Sequence, residues 1–175
     1  HEMSTCFADL LSDRQVTFIP GDAEQLSFPS GQDLIVSCSA LQWFVSPEQF
    51  FKRCNALLSG HGYFAFSTFG KENLKEIAAV TGSGLHYYSL EELKKSLSMH
   101  YNIVTAGEER IRLTFATPLD VLYHLKHTGV TAVCRQAWTK GDLQEFCDKY
   151  AKLFSCGNAV TLTYHPLYII ARKKP

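Results

Sequence analysis

The sequence predicts an α/β fold in which a largely parallel sheet carries helices on both faces. Short apolar runs alternate along the chain with segments of helical periodicity, which is the element order of a doubly wound sheet. Glycine and proline separate these segments, and no internal repeat or low-complexity tract interrupts them. With 175 residues, of which 46% are hydrophobic and 19% charged, the chain fits one globular domain with a substantial core.

The first half of the chain predicts strands and helices in alternation. The apolar pattern of residues 1–11 fits one face of a helix, and the apolar run 16–19 fits a short buried strand. Ser46 followed by Pro47 indicates a helix start, because serine caps a first turn and proline needs no partner for its missing N–H. The remaining elements are a strand at 33–37, the helix from 47 to about 58, and a strand at 63–69.

The second half predicts four helices and three strands. Ser89 and Glu92 form a capping box that begins a helix ending near residue 98. Pro166 confines part of the last strand to an edge or a bulge, because proline lacks the N–H that a ladder needs. The other predicted elements are helices at 71–81, 117–129 and 139–154, and strands at 101–106, 110–115 and 161–172, with a bulge or bend at Gly107.

Charge and composition argue against several classes of function. The 17 basic residues balance the 17 acidic ones, whereas a nucleic-acid-binding domain more often carries a basic surplus. No apolar run approaches the roughly 20 residues that span a bilayer, so we expect no membrane segment. The six cysteines form no C-x-x-C pair and no zinc-ligand spacing, so we expect no metal site and a reducing, cytoplasmic location.

Two loops that follow predicted strands carry the residues best suited to a binding site. GDAEQL at 21–26 follows the strand at 16–19, and SALQW at 39–43 follows the strand at 33–37. In an open α/β sheet, ligands bind in the crevice outside the carboxyl ends of the strands. We therefore expect any ligand to contact these two loops.

These loops resemble those of class I S-adenosylmethionine-dependent methyltransferases. The matching segments are GDAEQL (21–26), FP (28–29), DLIV (33–36) and LQW (41–43). The form SALQW at 39–43, with LKHTG at 125–129, is most similar to the malonyl-acyl-carrier-protein O-methyltransferases of biotin synthesis. The resemblance runs through nearly all of these residues but covers only the C-terminal two-thirds or so of such an enzyme.

The resemblance implies a Rossmann-like, seven-stranded methyltransferase sheet in the order 3-2-1-4-5-7-6, here lacking its first two strands. The strands at 16–19, 33–37 and 63–69 would be the third, fourth and fifth. We therefore expect one methyltransferase domain over 1–175, truncated at its N-terminus, with a lid-like acceptor-side insert at about 113–136. The family's Gly-rich loop and the acidic residue that binds the ribose would lie in the missing part.

The resemblance also implies S-adenosylmethionine as the cofactor and assigns its adenine to the first loop. Asp22 matches the acid that accepts a hydrogen bond from the adenine amino group, and the backbone of Ala23 would meet the ring. From the residues alone, Asp22 fits equally well a turn in which its carboxylate caps the following backbone.

In the second loop, the resemblance places Ser39 and Ala40 beside the methyl donor. Gln42 and Trp43 would line the cleft between the cofactor and the acceptor. Trp43 fits equally well a role in core packing, since large aromatic side chains are usually buried for their area alone.

Methylation of a carboxylate needs little acid–base chemistry, because the carboxylate is already ionised and a sulfonium is a good leaving group. Proximity and orientation therefore dominate, and the site needs a cation, preferably arginine, to orient the substrate carboxylate. The candidates are Arg112 and Arg135, with Arg110, Lys126 and His127 as further basic residues nearby. Each of these side chains also suits an exposed surface.

The implied function is methyl transfer from S-adenosylmethionine to the free carboxylate of malonyl-acyl-carrier protein in biotin synthesis. The alternatives are a methyltransferase of another small carboxylic or phenolic metabolite, and a non-catalytic interaction domain that retains the fold. A nicotinamide dehydrogenase is disfavoured, because no G-x-G-x-x-G follows a predicted strand. A carrier protein is acidic, so Lys71, Lys75, Lys94 and Lys95 are candidates for contacting it. Neither nucleic acid nor a membrane is expected as a partner.

Overall fold

The computed structural model describes residues 16–130 and 138–175, and within them the chain forms seven strands and five α-helices. In chain order they are β1 Gln32–Cys38, α1 Pro47–Leu57, β2 Leu58–Phe69, α2 Lys75–Thr81, α3 Leu90–Leu97, β3 Tyr101–Glu108, β4 Ile111–Phe115, α4 Pro118–His127, α5 Lys140–Phe154, β5 Ser155–Cys156, β6 Ala159–Tyr164 and β7 Pro166–Lys173. A short 3-10 turn, Leu41–Trp43, follows β1.

The larger sheet has four strands in the order β1-β2-β7-β3. β1 and β2 run parallel, with Ile35 beside Phe64. β7 is antiparallel to both of its neighbours and places Ile169 between Phe66 of β2 and Ala106 of β3. This order corresponds to the last four places of the order 3-2-1-4-5-7-6, and the predicted α/β, Rossmann-like fold class is confirmed. Among the described strands, however, only β1 and β2 pair in parallel, so the sheet is not largely parallel there.

Helices α1 and α3 cover one face of the larger sheet. Phe51 of α1 stacks on Phe66 with ring centroids 5.6 Å apart, and Phe64 lies beside it at 5.9 Å. The hydroxyl of buried Tyr101 donates a hydrogen bond of 2.8 Å to the main-chain oxygen of Phe51. Burial of aromatic surface contributes much of the free energy of a protein core. This cluster therefore fixes the position of α1 on the larger sheet.

A second, smaller sheet has the antiparallel order β4-β6-β5 and its own core. Helices α2, α4 and α5 bury Ile77, Val121 and Phe146 against Leu162 of β6. The prediction of one strand over 161–172 is wrong, because β6 and β7 belong to different sheets. Pro166, which cannot donate to a ladder, is the first residue of β7.

Other elements also differ from the predictions, and β2 begins at Leu58 and not at residue 63. Residues 16–19 form no strand; no described strand lies alongside to supply a ladder, and Val16 and Ile19 are exposed. The helix predicted at 71–81 begins at Lys75, because Leu74 has a φ of 52° that a helix cannot contain. The irregularity in β3 lies between residues 103 and 105 and not at Gly107.

The remaining described helices agree with the sequence. Ser89, Thr117 and Thr139 each form the reciprocal capping box at the start of α3, α4 and α5. The helix predicted at 1–11 lies outside the described residues, and so does part of the insert at 113–136, which stays a prediction. Of the helices in 16–130 and 138–175, none combines the length and apolar character needed to cross a membrane.

Candidate functional site

The first loop, residues 21–26, is a tight turn that Asp22 stabilises from within. Its main-chain oxygen accepts hydrogen bonds from the backbone N–H groups of Gln25 and Leu26, both at 2.9 Å. Its carboxylate accepts from the backbone N–H of Glu24 and from the side chain of Gln25, again at 2.9 Å. Asp22 is exposed, and a carboxylate has about four lone-pair sites, so both oxygens can accept further bonds from a ligand.

Glu24 connects this turn to the start of α1. Its two carboxylate oxygens accept hydrogen bonds of 2.8 Å from the backbone N–H groups of Val45 and Ser46. The side chain of Ser46, predicted to cap the helix, makes no capping bond. Sequence reasoning missed this role for Glu24, because the donors lie 21 and 22 residues further along the chain and local spacing carries no signal for them.

The second loop begins with a backbone conformation that is rare for a residue with a side chain. Ser39 has a φ of 49°, in the left-handed region. Its N–H donates to the main-chain oxygen of Ser67 at 3.0 Å, and its own oxygen accepts from Nε2 of Gln42 at 2.6 Å. The Oε1 atom of Gln42 in turn accepts a hydrogen bond of 3.1 Å from the hydroxyl of Thr68 on β2.

A cavity of about 450 Å³ extends along β1 and α1 and reaches both loops. Ala23 of the first loop and Ala40 of the second both line it, and Phe28 and Phe44 contribute aromatic walls. Its lining is mostly apolar; the charged side chain among the lining residues is Arg53, whose guanidinium donates to a main-chain oxygen of the first loop. The structure thus brings together both predicted loops around one space.

A second cavity of about 600 Å³ adjoins the first at Phe44, which lines both. Gln42 and Trp43, the predicted cleft residues, line it together with residues 83–88. Trp43 is 49% exposed, so its side chain is not simply part of the core. Burial raises the pKa of Tyr87, whose hydroxyl accepts a hydrogen bond from the side-chain amide of Asn73, so this tyrosine stays uncharged at neutral pH.

One of the two predicted arginines lies within the described residues, and it does not line this cavity. Arg112 is exposed on β4, opposite Thr163 in the smaller sheet, and lines neither cavity. Arg135 lies outside the described residues. The cations that do line the second cavity are Lys71 and Lys75, which pair with the carboxylates of Glu92 at 2.7 Å and Glu72 at 3.0 Å.

Arg110 belongs to a structural ion cluster instead. Its guanidinium bonds the carboxylates of Glu72 and Glu108, and these hydrogen bonds raise its own pKa. Together with Lys75, which makes the smaller contribution, it holds the pKa of Glu72 down at about 2. This cluster fixes the segment that carries Lys71 to the far end of β3.

Buried His165 contacts two residues of the same cluster, Glu72 and Glu108. Its Nδ1 accepts a hydrogen bond of 3.1 Å from the backbone N–H of Glu72, so the ring proton lies on Nε2, which faces the Glu108 carboxylate at 3.1 Å. That contact is the main cause of a lowered pKa for Glu108. A Cβ at Gly70 would lie 2.6 Å from the His165 ring, so only glycine fits there. These contacts give His165 a structural role.

Comparison with known proteins identifies the family. A family profile described as "Methyltransferase domain" matches residues 1–66. The malonyl-[acyl-carrier protein] O-methyltransferase of Bacteroides thetaiotaomicron is 56% identical over 99% of this chain, which spans 70% of that protein. The chain belongs to the malonyl-[acyl-carrier protein] O-methyltransferase family. The enzyme of the same name from Bacteroides fragilis is also 56% identical over 99% of the chain, which spans 35% of its length.

Solved structures of other methyltransferases share the fold of this chain. A candidate methyltransferase from Bacillus halodurans superposes with a TM-score of 0.68 at 16% identity, covering 99% of this chain and 78% of that one. The N-methyltransferase NodS from Bradyrhizobium japonicum, solved with S-adenosyl-L-homocysteine, gives 0.52 at 12% identity over 99% and 62%. Family membership confirms the predicted class of enzyme, an S-adenosylmethionine-dependent O-methyltransferase.

Proposed function

We propose that this chain transfers a methyl group from S-adenosylmethionine to the free carboxylate of a malonyl group carried by acyl-carrier protein, in biotin synthesis in the cytoplasm. The observation that carries the proposal is the pair of adjoining cavities that meet at Phe44, one bounded by the loops at 21–26 and 39–43 and one lined by Gln42 and Trp43. A group-transfer enzyme needs two such spaces in contact, one for each reactant.

The first cavity fits the adenosine part of the cofactor. Ala23 and Ala40 present small side chains, so a flat ring can approach the backbone closely, and Phe28 supplies an apolar wall. Asp22 does not line the cavity, but its carboxylate stands in the same turn as Ala23 and has acceptor sites for an amino group. We assign Asp22, Ala23, Ser39 and Ala40 to cofactor binding on this chemistry.

The second cavity fits an acyl group that ends in a carboxylate. Gln42 and Trp43 form the wall nearest the first cavity, and Lys71 and Lys75 add positive charge to the lining. A cation that faces the substrate carboxylate fixes its direction, and arginine does so with two parallel bonds. Arg135 is the candidate for this role, since Arg112 lines neither cavity.

The chemistry asks the protein for position more than for proton transfer. The cofactor supplies a methyl group on a sulfonium, which is a good leaving group, and the acceptor carboxylate is already ionised at neutral pH. The loops must hold the acceptor oxygen in line with the methyl group and exclude water between them. The acidic surface expected of a carrier protein would meet Lys71 and Lys75 at the cavity, and Lys94 and Lys95 on α3.

The first arm of the test is calorimetric titration of the protein, expressed from its complete reading frame, with S-adenosyl-L-homocysteine. Asp22→Asn should weaken binding by about tenfold or more, because it removes the charge from a hydrogen bond that is worth roughly 1.5–3 kcal/mol. Asp148→Asn is the matched control, since Asp148 is exposed on α5 and bonds only Gln144 among the described contacts. Binding too weak to detect by the folded wild type would contradict the proposal.

The second arm is transfer of a radiolabelled methyl group to malonyl-acyl-carrier protein. Acetyl-acyl-carrier protein is the negative acceptor because it has no free carboxylate. Arg135→Gln should raise the KM for the malonyl acceptor by about tenfold and leave the binding of S-adenosyl-L-homocysteine unchanged. Turnover of a small carboxylic or phenolic acid in place of the carrier-bound substrate would assign the enzyme to a different acceptor.

A further inference from the structure

Ser39 holds a backbone conformation that its own side chain disfavours. With a φ of 49°, it is one of two non-glycine residues in the left-handed region among those described, the other being Leu74. Such a conformation is disfavoured for a residue with a side chain and persists only where neighbouring groups hold it. At the end of β1, this conformation turns the chain so that Ala40 lines the first cavity.

Hydrogen bonds hold both sides of Ser39. Its N–H donates to the main-chain oxygen of Ser67, at 3.0 Å, and lies 3.2 Å from the Ser67 hydroxyl. Its carbonyl oxygen accepts from Gln42 Nε2 at 2.6 Å. A carbonyl oxygen can only accept, so this contact fixes which end of the Gln42 amide carries the nitrogen.

The other end of the Gln42 amide is tied to the sheet. Its Oε1 accepts a hydrogen bond of 3.1 Å from the hydroxyl of Thr68, which is buried near the end of β2. Gln42 therefore connects the turn at Ser39 to the strand beside it. A side chain that makes a bond at each end of its amide is committed to the protein.

We infer that Gln42 is a positioning residue, which locks the turn at Ser39 and so places Ala40 against the cofactor. The sequence assigned Gln42 to the substrate cleft, and it does border the second cavity, but its polar atoms face the protein. The inference rests on the proposed function, because it assigns the first cavity to the cofactor. It predicts that Gln42 governs the affinity for the cofactor and not the affinity for the acceptor.

The first experiment separates the two affinities in the protein expressed from its complete reading frame. Gln42→Met keeps the length of the side chain and removes both hydrogen bonds, so binding of S-adenosyl-L-homocysteine should weaken by about fivefold to tenfold. The KM for the acceptor at saturating cofactor should change by less than about twofold. Thr68→Val, which removes only one bond, should give a smaller loss, and Gln144→Met on α5 is the control.

The second experiment tests the mechanism by a double-mutant cycle with Ser39→Gly. Glycine adopts a positive φ without a steric cost, so a turn that contains it depends less on the clamp. The loss caused by Gln42→Met should therefore shrink to less than about threefold in the Ser39→Gly background. Thermal unfolding of each variant establishes that it is folded, and Gln42→Glu, which puts an oxygen against the Ser39 carbonyl, replaces Gln42→Met if that variant does not fold.

Each other outcome overturns the inference. A raised KM for the acceptor with unchanged binding of S-adenosyl-L-homocysteine would make Gln42 a substrate contact. An undiminished loss in the Ser39→Gly background would show that Gln42 acts on some other part of the site. If the folded wild type does not bind S-adenosyl-L-homocysteine, the proposed function itself fails and the inference fails with it. That result is therefore distinct from the first two.

Discussion

Glu76 shows how strongly one residue can depend on its partners. It is 2% exposed, and its carboxylate accepts hydrogen bonds from the backbone N–H of Thr163 at 3.0 Å and from the Thr163 hydroxyl at 2.6 Å. These bonds connect α2 to β6, beneath the segment that lines the second cavity. A buried charge is tolerated only when such bonds satisfy it, because taking it out of water is costly.

We therefore expect Thr163→Val to destabilise the protein by about 1.5–3 kcal/mol, the range for losing a hydrogen bond to a buried charged group. The measurement is urea unfolding followed by circular dichroism. Thr114→Val, an exposed position on the neighbouring strand, is the control and should change stability by less than about 0.5 kcal/mol. An equal and small effect of both substitutions would mean that the Thr163 hydroxyl does not stabilise the carboxylate.

At this scale the sequence predicts where the site lies but not what holds it. The loops at 21–26 and 39–43 follow from the strand ends and from the resemblance, and the structure places Ala23 and Ala40 on one cavity. The bonds made by Glu24 and Gln42 depend on donors more than 20 residues away in the chain, which only the fold brings near. Whether Arg112 reaches the site also depends on the tertiary fold, and its strand, β4, belongs to the smaller sheet.

At the scale of elements, α1 begins with a cap supplied from another part of the chain. Glu24 accepts from the N–H groups of Val45 and Ser46, where the sequence favoured Ser46 itself. A carboxylate at the N-terminus of a helix also interacts favourably with the helix dipole. The same contact fixes the first loop relative to the second.

Glu24→Ala should therefore cost about 1–2 kcal/mol of stability and also weaken the binding of S-adenosyl-L-homocysteine. Ser46→Ala should cost less than about 0.5 kcal/mol. The two variants are compared by thermal unfolding and by calorimetry. The opposite order of stability would mean that the serine side chain is the cap in solution. Glu48→Ala, in the exposed first turn of α1, controls for a general effect of removing negative charge there.

Elements that depend on local contacts were predictable, and those that depend on a neighbour were not. The capping boxes at Ser89, Thr117 and Thr139 lie within four consecutive residues each, so the pattern predicts the structure. The apolar run 16–19 resembles a strand, but a strand exists only where another strand completes its ladder. The start of α2 was placed too early, because nothing in the spacing indicates the left-handed backbone of Leu74.

At the scale of the whole molecule, an ion cluster joins the segment before α2 to the end of β3. Arg110 bonds Glu72 and Glu108, and its hydrogen bond is the main cause of the low Glu72 pKa, about 2. A carboxyl group with a lowered folded-state pKa stabilises the protein above its unfolded pKa, and this contribution is lost as pH falls towards the folded value.

The melting temperature of Arg110→Gln should thus lie below that of the wild type at pH 7, and the two should converge as the pH falls from about 5 towards 2. Thermal unfolding across this range measures the difference, with the exposed Arg112→Gln as the matched control. Because the pair is half-exposed, 0.5 M salt should reduce the difference at pH 7. A difference that does not depend on pH would exclude the carboxylates as its source.

The order of the larger sheet could be predicted only through the resemblance, which supplied the places 4-5-7-6. The smaller sheet was not foreseen, because the apolar pattern of β4 and β6 indicates strands without indicating which sheet they join. Pro166 signals a break in the last apolar run, but His165 and its buried contacts are what turn the chain from one sheet into the other.

The position of β7 has a consequence for how the protein is made. Arg172 lies between Tyr63 and Asn102, so β2 and β3 reach each other only through a strand that is synthesised after every other described element. While the chain grows on the ribosome, the edges of β2 and β3 stay unpaired, and exposed edges of this kind attract other strands. Such pairing between distant segments is slow, so these edges are exposed to aggregation until β7 joins the sheet.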